Sequence, residues 1–142
     1  MRRAAIVTAA RGWVETPYHH QASRRGVGCD CLGLVRGVWR ELVGDEPEFV
    51  PAYSPDWAEA KGEETLLDAA GRHFVPIPVV REGALLVFRW KAGTPAKHVG
   101  IAVGDAAFVH AYDSVGRVVE GRLAPVWRCR LAAVFDFPGV TD

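Results

Sequence analysis

The sequence predicts an α+β fold, with N-terminal helices packed on a five-stranded, mostly antiparallel sheet. Three observations predict it. Helical apolar spacing is confined to the first half of the chain. From Ala84 onward the apolar residues fall instead into five short segments separated by Gly, Pro and Asp. No helical stretch lies between those segments, so nothing is available to carry a parallel crossover.

The elements follow in order. Residues 3 to 15 predict a helix, with Ala4, Ile6, Val7, Ala10 and Trp13 near one face. "ETPYHHQASRRGVG" is a polar loop punctuated by Pro17, Gly26 and Gly28. A second helix begins after Asp30, a suitable N-cap. Leu34, Val35, Val38, Trp39 and Leu42 form its stripe, and Gly44 ends it. "DEPEFVPAYSPDW" holds three prolines and reads as irregular. A third helix runs from Pro55 or Asp56 to about Ala70, stopped by Gly71. "HFVPIPVVREG" is extended and broken by proline. "ALLVFRW", "HVGIAVG", "AAFVHAYD", "GRVVEGRL" and "VWRCRLAAVFDF" are then five successive strands.

The chain has 142 residues, a length suited to one domain spanning 1–142. Such a domain can bury a continuous core without disulfides or metal. Lys+Arg and Asp+Glu both number 17, which removes the usual electrostatic case for nucleic acid. Three cysteines are an odd number, and Cys29 and Cys31 stand too close for an easy disulfide. "MRRAAIVTAARGW" has an apolar run, broken by Arg11, at the short limit for a signal peptide and with no cleavage-site pattern after it, and no stretch reaches the ~18 apolar residues of a membrane span. Synthesis in the cytoplasm, without a membrane partner, is the expectation.

Chemistry concentrates around "GVGCDCLGLVRGVWREL". Cys31 sits in the first turn of the second helix, where free N–H groups and the macrodipole favour an anion by up to ~2 kcal/mol. At ~1.36 kcal/mol per pKa unit, that lowers a thiol by at most about one and a half units. A histidine partner is needed to bring it into the ~3.5–7.5 range. His98 opens one strand and His110 lies in the next, twelve residues apart with Gly104-Asp105 between them. A hairpin loop of three or five residues puts both rings on one face; a loop of two puts them on opposite faces. On a shared face, Cys31 is nucleophile, His98 base and His110 orienter. Tyr18, in the loop before Cys31, is either a core residue or a donor to an oxyanion.

Other residues weigh less. Cys29 reads as core, and Cys129 as an inward-facing strand residue used in packing. A zinc site from His19, His20, Cys29 and Cys31 has the wrong spacing, so neither metal nor cofactor is expected. Trp57 and Trp90 are candidates for a substrate wall. Asp30, beside the thiol, and Arg25, in "SRRG", are candidate substrate contacts.

"TPYHHQASRRGVGCDCLGLV" followed by "KHVGIAVGDAAFVHA" resembles the NlpC family of papain-like cell-wall peptidases. The shared features are Asp30-Cys31-Leu32-Gly33 at a helix start, His98 opening a strand and His110 in the next. The resemblance runs from the Tyr18 region to about Phe137. It implies a papain-like fold and cleavage of stem-peptide bonds in peptidoglycan, usually the D-γ-glutamyl–diamino acid bond. It also implies the roles of Cys31 as nucleophile, His98 as base, His110 as orienter and Tyr18 as oxyanion support. "VPAYSPDWAEAKGEETLL" and "GALLVFRW" resemble the compact phage-tail and gene-transfer-agent branch. That branch implies particle partners and action on the wall in the periplasm. Two positions depart from the family pattern: Leu32 replaces a frequent serine, and Gly83-Ala84 replaces a frequent Gly-Asp. Neither holds a catalytic group. Rival readings are an amidase cutting before L-alanine with the same triad, and a non-catalytic tail or baseplate component.

Overall fold

The structure is a computed structural model that describes residues 1–47 and 64–142. Its order is α1 (Arg3–Arg11), β1 (Ser23–Arg24), β2 (Gly28–Cys29), α2 (Cys31–Leu42), α3 (Thr65–His73), β3 (Val75–Pro76), β4 (Leu85–Arg89), β5 (Ala96–Ala102), β6 (Ala107–Tyr112), β7 (Arg117–Arg122), α4 (Pro125–Arg128) and β8 (Leu131–Asp136). Strands β3-β8-β4-β5-β6-β7 form one sheet of six, and every neighbouring pair is antiparallel. The expected class holds, with six strands in place of five. The sixth is the two-residue β3, an edge strand, where Pro76 is tolerated.

Both faces of the sheet are covered. Helices α1 and α2 bury Ile6, Ala10, Trp13, Leu34 and Val38 against Leu85, Val87, Val99, Ile101 and Val109. The opposite face packs Leu86, Phe88, Ala102, Phe108 and Leu123 beneath Trp127. Strand β4 therefore sends alternate residues to two cores, which is why it reads as an unbroken apolar run. Burying one such Leu or Phe contributes about 1.5–3 kcal/mol.

Several boundaries differ from expectation. Helix α1 stops at Arg11, four residues early. Glu15 takes φ 75, and its N–H donates to the Val118 carbonyl at 2.9 Å, so the sheet captures the chain there. The expected start of the third helix, with Trp57, lies outside the described residues. Its end does not fall at Gly71, since α3 continues to His73 and the Phe74 N–H still caps Ala70. "VWRCR" is not strand. Pro125 opens a short helix, α4, and β8 begins only at Leu131. Cys129 consequently caps α4 and is exposed rather than packed inward. Part of the loop before α2 folds into the β1–β2 ribbon.

One buried polar contact pins the N-terminal helix to the end of the sheet. Arg3 donates to both oxygens of Asp136 at 2.8 Å and to Asp142 at 2.7 Å. Helices α1 and α2 meet closely because Gly37 has no side chain: a Cβ there would lie 2.0 Å from Cζ2 of Trp13. The aromatic ring and the helix backbone cannot both yield. Gly37→Ala is expected to destabilise the domain by about 1–3 kcal/mol, read from the midpoint of urea unfolding. An unchanged midpoint would show that the helices separate freely.

Candidate active site

Helix α2 presents Cys31 as its first residue because Asp30 caps it. The Asp30 carboxylate accepts from the Gly33 N–H at 2.8 Å and from the Gln21 N–H at 2.8 Å, and it is only 2% exposed. Gly33 lets the helix approach the preceding loop, where a Cβ would sit 1.8 Å from the Ala22 carbonyl oxygen. The start of the helix, and with it the thiol, is thereby held in place.

The hairpin decides the histidine pair. Ile101 pairs with Val109 and Ala102 with Phe108, and the Val103 N–H donates to the Ala107 carbonyl at 2.9 Å. The loop is thus three residues, 104–106, and the rings share a face. His98 Nε2 and His110 Nδ1 lie 2.8 Å apart, both side chains buried.

The thiol meets strand β5 at an opening in the sheet. Strand β5 pairs with β6 only near the turn, so its first half leaves the edge facing β6 unpaired. Cys31 Sγ lies there, 4.0 Å from the carbonyl oxygen of Lys97. A register shift between β4 and β5 at Phe88/Arg89 skips Lys97 and flares this end of the sheet. Tyr18, His20, Asp30, Cys31, Trp90, Lys97, His98, Tyr112 and Asp113 surround one cleft of about 120 Å³.

An aromatic enclosure backs the histidines. Trp90 stacks on His98 at 5.0 Å, and Tyr112 stacks on His110 at 5.4 Å. Trp127 meets His110 edge-on at 5.0 Å. Burial in this setting disfavours charge. It pushes His98 well below the usual histidine value, with His110 adding to the effect, and brings His110 down to about 4. Burial likewise pushes the Cys31 thiol up to about 12, and Asp30 adds to the shift. The amides of Val99, Leu32 and Cys31 itself pull the other way. A thiol lowered by the helix end was expected. Here the low-polarity surroundings outweigh the helix, and burial favours the neutral forms of the thiol and both imidazoles. Tyr18 is raised too, chiefly by burial, so its hydroxyl stays a donor.

The candidate residues divide as follows. Cys31, His98, Tyr18, Asp30 and Trp90 line the cleft, and His110 stands behind His98. The Asp30 carboxylate is already engaged by the amides of the chain itself. Arg25 is exposed on the β1–β2 turn, 3.9 Å from Glu41, and does not line the cleft. Trp57 lies outside the described residues. Tyr112, Asp113, Lys97 and Trp127 were not anticipated as site residues. Tyr112 was findable, being two residues beyond His110 and so on its face of the strand. Trp127 was not, because it arrives on α4, which reads as strand. Among the described residues, no three His, Cys, Asp or Glu side chains gather as a metal would require.

A thiol at a capped helix start, sharing a cleft with one of two paired histidines at the open end of an antiparallel sheet, is the arrangement of papain-like α+β domains. The NlpC/P60 family model matches residues 15–135, and the chain belongs to that family. It is 30% identical over 103 residues to the murein DD-endopeptidase MepS/murein LD-carboxypeptidase of Escherichia coli K12, covering 72% of this chain and 46% of that protein. It is 24% identical over 136 residues to the gamma-DL-glutamyl hydrolase of Bacillus subtilis 168, covering 96% of this chain and 30% of that protein. The chain thus spans less than half the length of either relative. The crystal structure of the NlpC/p60 domain of the peptidoglycan hydrolase SagA superposes with a TM-score of 0.63 at 23% identity, covering 96% of this chain and all of that one.

Proposed function

We propose that this domain is a cysteine peptidase that hydrolyses stem-peptide bonds of bacterial peptidoglycan, at the D-γ-glutamyl–diamino acid bond. The observation that carries this reading is the Cys31 thiol in one cleft with His98, which is itself 2.8 Å from His110. The names of the endopeptidase and γ-glutamyl hydrolase relatives support the substrate class.

With His98 Nε2 committed to His110, Nδ1 is the nitrogen left to face the thiol. His98 then carries its resting proton on Nε2 and donates it to His110 Nδ1. Because thiol and imidazole are both neutral, the S–H proton moves to Nδ1 as sulfur attacks the carbonyl carbon. The new imidazolium is held by a charge-assisted bond to His110. The oxyanion lies near the amides at the start of α2 and the Tyr18 hydroxyl. Nδ1 next protonates the departing amine, the C–N bond breaks and a thioester remains. Water, deprotonated by His98, hydrolyses it and restores the thiol. The setting we infer from the sequence resemblance is a phage tail or gene transfer agent particle, which would carry the enzyme to the wall.

The test is digestion of purified peptidoglycan followed by mass spectrometry. The expected products are glycan strands keeping L-Ala-D-Glu and peptides with a new amino terminus on the diamino acid. Release of whole stem peptides beginning with L-alanine would overturn the bond assignment in favour of an amidase. Absence of any product would favour the non-catalytic particle component.

A further inference from the structure

A second cleft, of about 500 Å³, lies beside the β4–β5 turn and the start of β8, and Arg89, Trp90, Lys91, Gly93, Cys129 and Arg130 line it. The bulge between β4 and β5, and another between β4 and β8 at Val87/Phe88, flare the sheet at this end. No acidic side chain is among the lining residues.

Two of its cations differ from many others on this molecule. Arg3, Arg11, Arg36, Arg40, Arg81 and Arg117 each meet a carboxylate. Within the cleft, Arg89 is likewise neutralised by Glu64. Arg130 and Lys91 have no carboxylate partner among the described residues. The Arg130 guanidinium is instead held over two indoles, 5.6 Å from the ring centroids of both Trp90 and Trp127. The aromatic faces fix its position and leave its N–H groups for an outside acceptor.

Trp90 belongs to both clefts. It lines the space beside Cys31 and stacks on His98, and it also lines the basic cleft. A substrate lying across the Trp90 partition would put an anionic group on Arg130 and Lys91 and its peptide bond at the thiol. We propose that this cleft is a second binding subsite of the enzyme, one that takes a carboxylate of the peptide substrate. The inference rests on the peptidase reading above.

The test uses two synthetic stem peptides that differ only in a C-terminal carboxylate or carboxamide. For the wild-type chain, KM for the carboxylate form is expected to be about tenfold lower at low salt, with the difference shrinking as salt rises. Lys91→Gln and Arg130→Gln together should erase that preference while changing kcat less than about twofold. Lys91→Gln alone, at an exposed site, should remove part of it without affecting folding. Binding of both peptides to the Cys31→Ala chain, measured by calorimetry, separates the two ideas. A carboxylate preference there that is lost on adding the Lys91 and Arg130 changes supports the subsite even if no hydrolysis occurs. Equal affinity for the two peptides, or a preference that survives the double change, overturns it while leaving the peptidase reading intact. Failure of the carboxylate peptide to bind overturns it as well.

Discussion

Cys31→Ala is expected to lower peptidoglycan hydrolysis by about 10⁴-fold or more while leaving the fold in place. The magnitude follows from the role. Without sulfur there is no thioester, and what remains is binding plus oxyanion stabilisation of direct water attack. Alanine is a good helix former, and the N-cap belongs to Asp30, whose bonds to the Gly33 and Gln21 amides are untouched. The thermal midpoint should therefore move by only a few degrees. Turnover from a particle-free digest, beside a melting curve, checks both halves. Retained hydrolysis in the alanine variant would remove Cys31 from the mechanism. A collapsed melting curve would show that the thiol holds the helix against β5.

His98→Ala is expected to cost about 10³–10⁴-fold in kcat/KM, because the thiol then has no base and, at a pKa pushed to about 12, almost no thiolate of its own. The same burial predicts the pH behaviour. His98 must be neutral to take the proton, and its value is held well below 6.5. The acidic limb of the wild-type rate profile should therefore fall below pH 6.5, with activity still full at that pH. Stability follows the same sign. Between its folded value of about 4 and its unfolded value of 6.5, His110 binds fewer protons when folded. Stability then rises with pH across that window: it is complete above about 6.5 and lost as pH falls toward 4, by up to about 3 kcal/mol for this group. His98 contributes in the same direction. Urea unfolding from pH 4 to 8, with the His110→Ala variant alongside, measures it. A wild-type midpoint that does not move below pH 6.5 would mean the imidazoles are solvated and not enclosed.

Much of the site was legible because its parts are local. Asp30 before an i, i+3/i+4 stripe fixes where α2 starts, and so places Cys31 in its first turn. Alternation along "KHVGIAVG" and "AAFVHAYD" puts His98 and His110 on neighbouring strands. Their sharing of a face hung on whether the turn held two, three or five residues, and Gly104-Asp105 reads as any of these. The Val103–Ala107 bond chose three. "VWRCR" misled because Val and Trp favour strands. Pro125 and the need to cover Phe88 and Phe108 turned it into α4 instead. Arg25 seemed close to the thiol along the chain, but the β1–β2 ribbon carries it to the outer surface.

The sequence by itself determined that helices precede a run of five strands, which helix bears the thiol, and which thiol and imidazoles are the candidates for the site. Periodicity and capping act over a few residues, within the reach of local reading. Only the tertiary structure decided the burial that shifts the site's titrating groups, and the second cleft. Both depend on which distant groups exclude water: Trp90 and Trp127 around the histidines, and two bulges that open the end of the sheet. Desolvation is a property of the assembled surroundings, and no spacing along the chain encodes it.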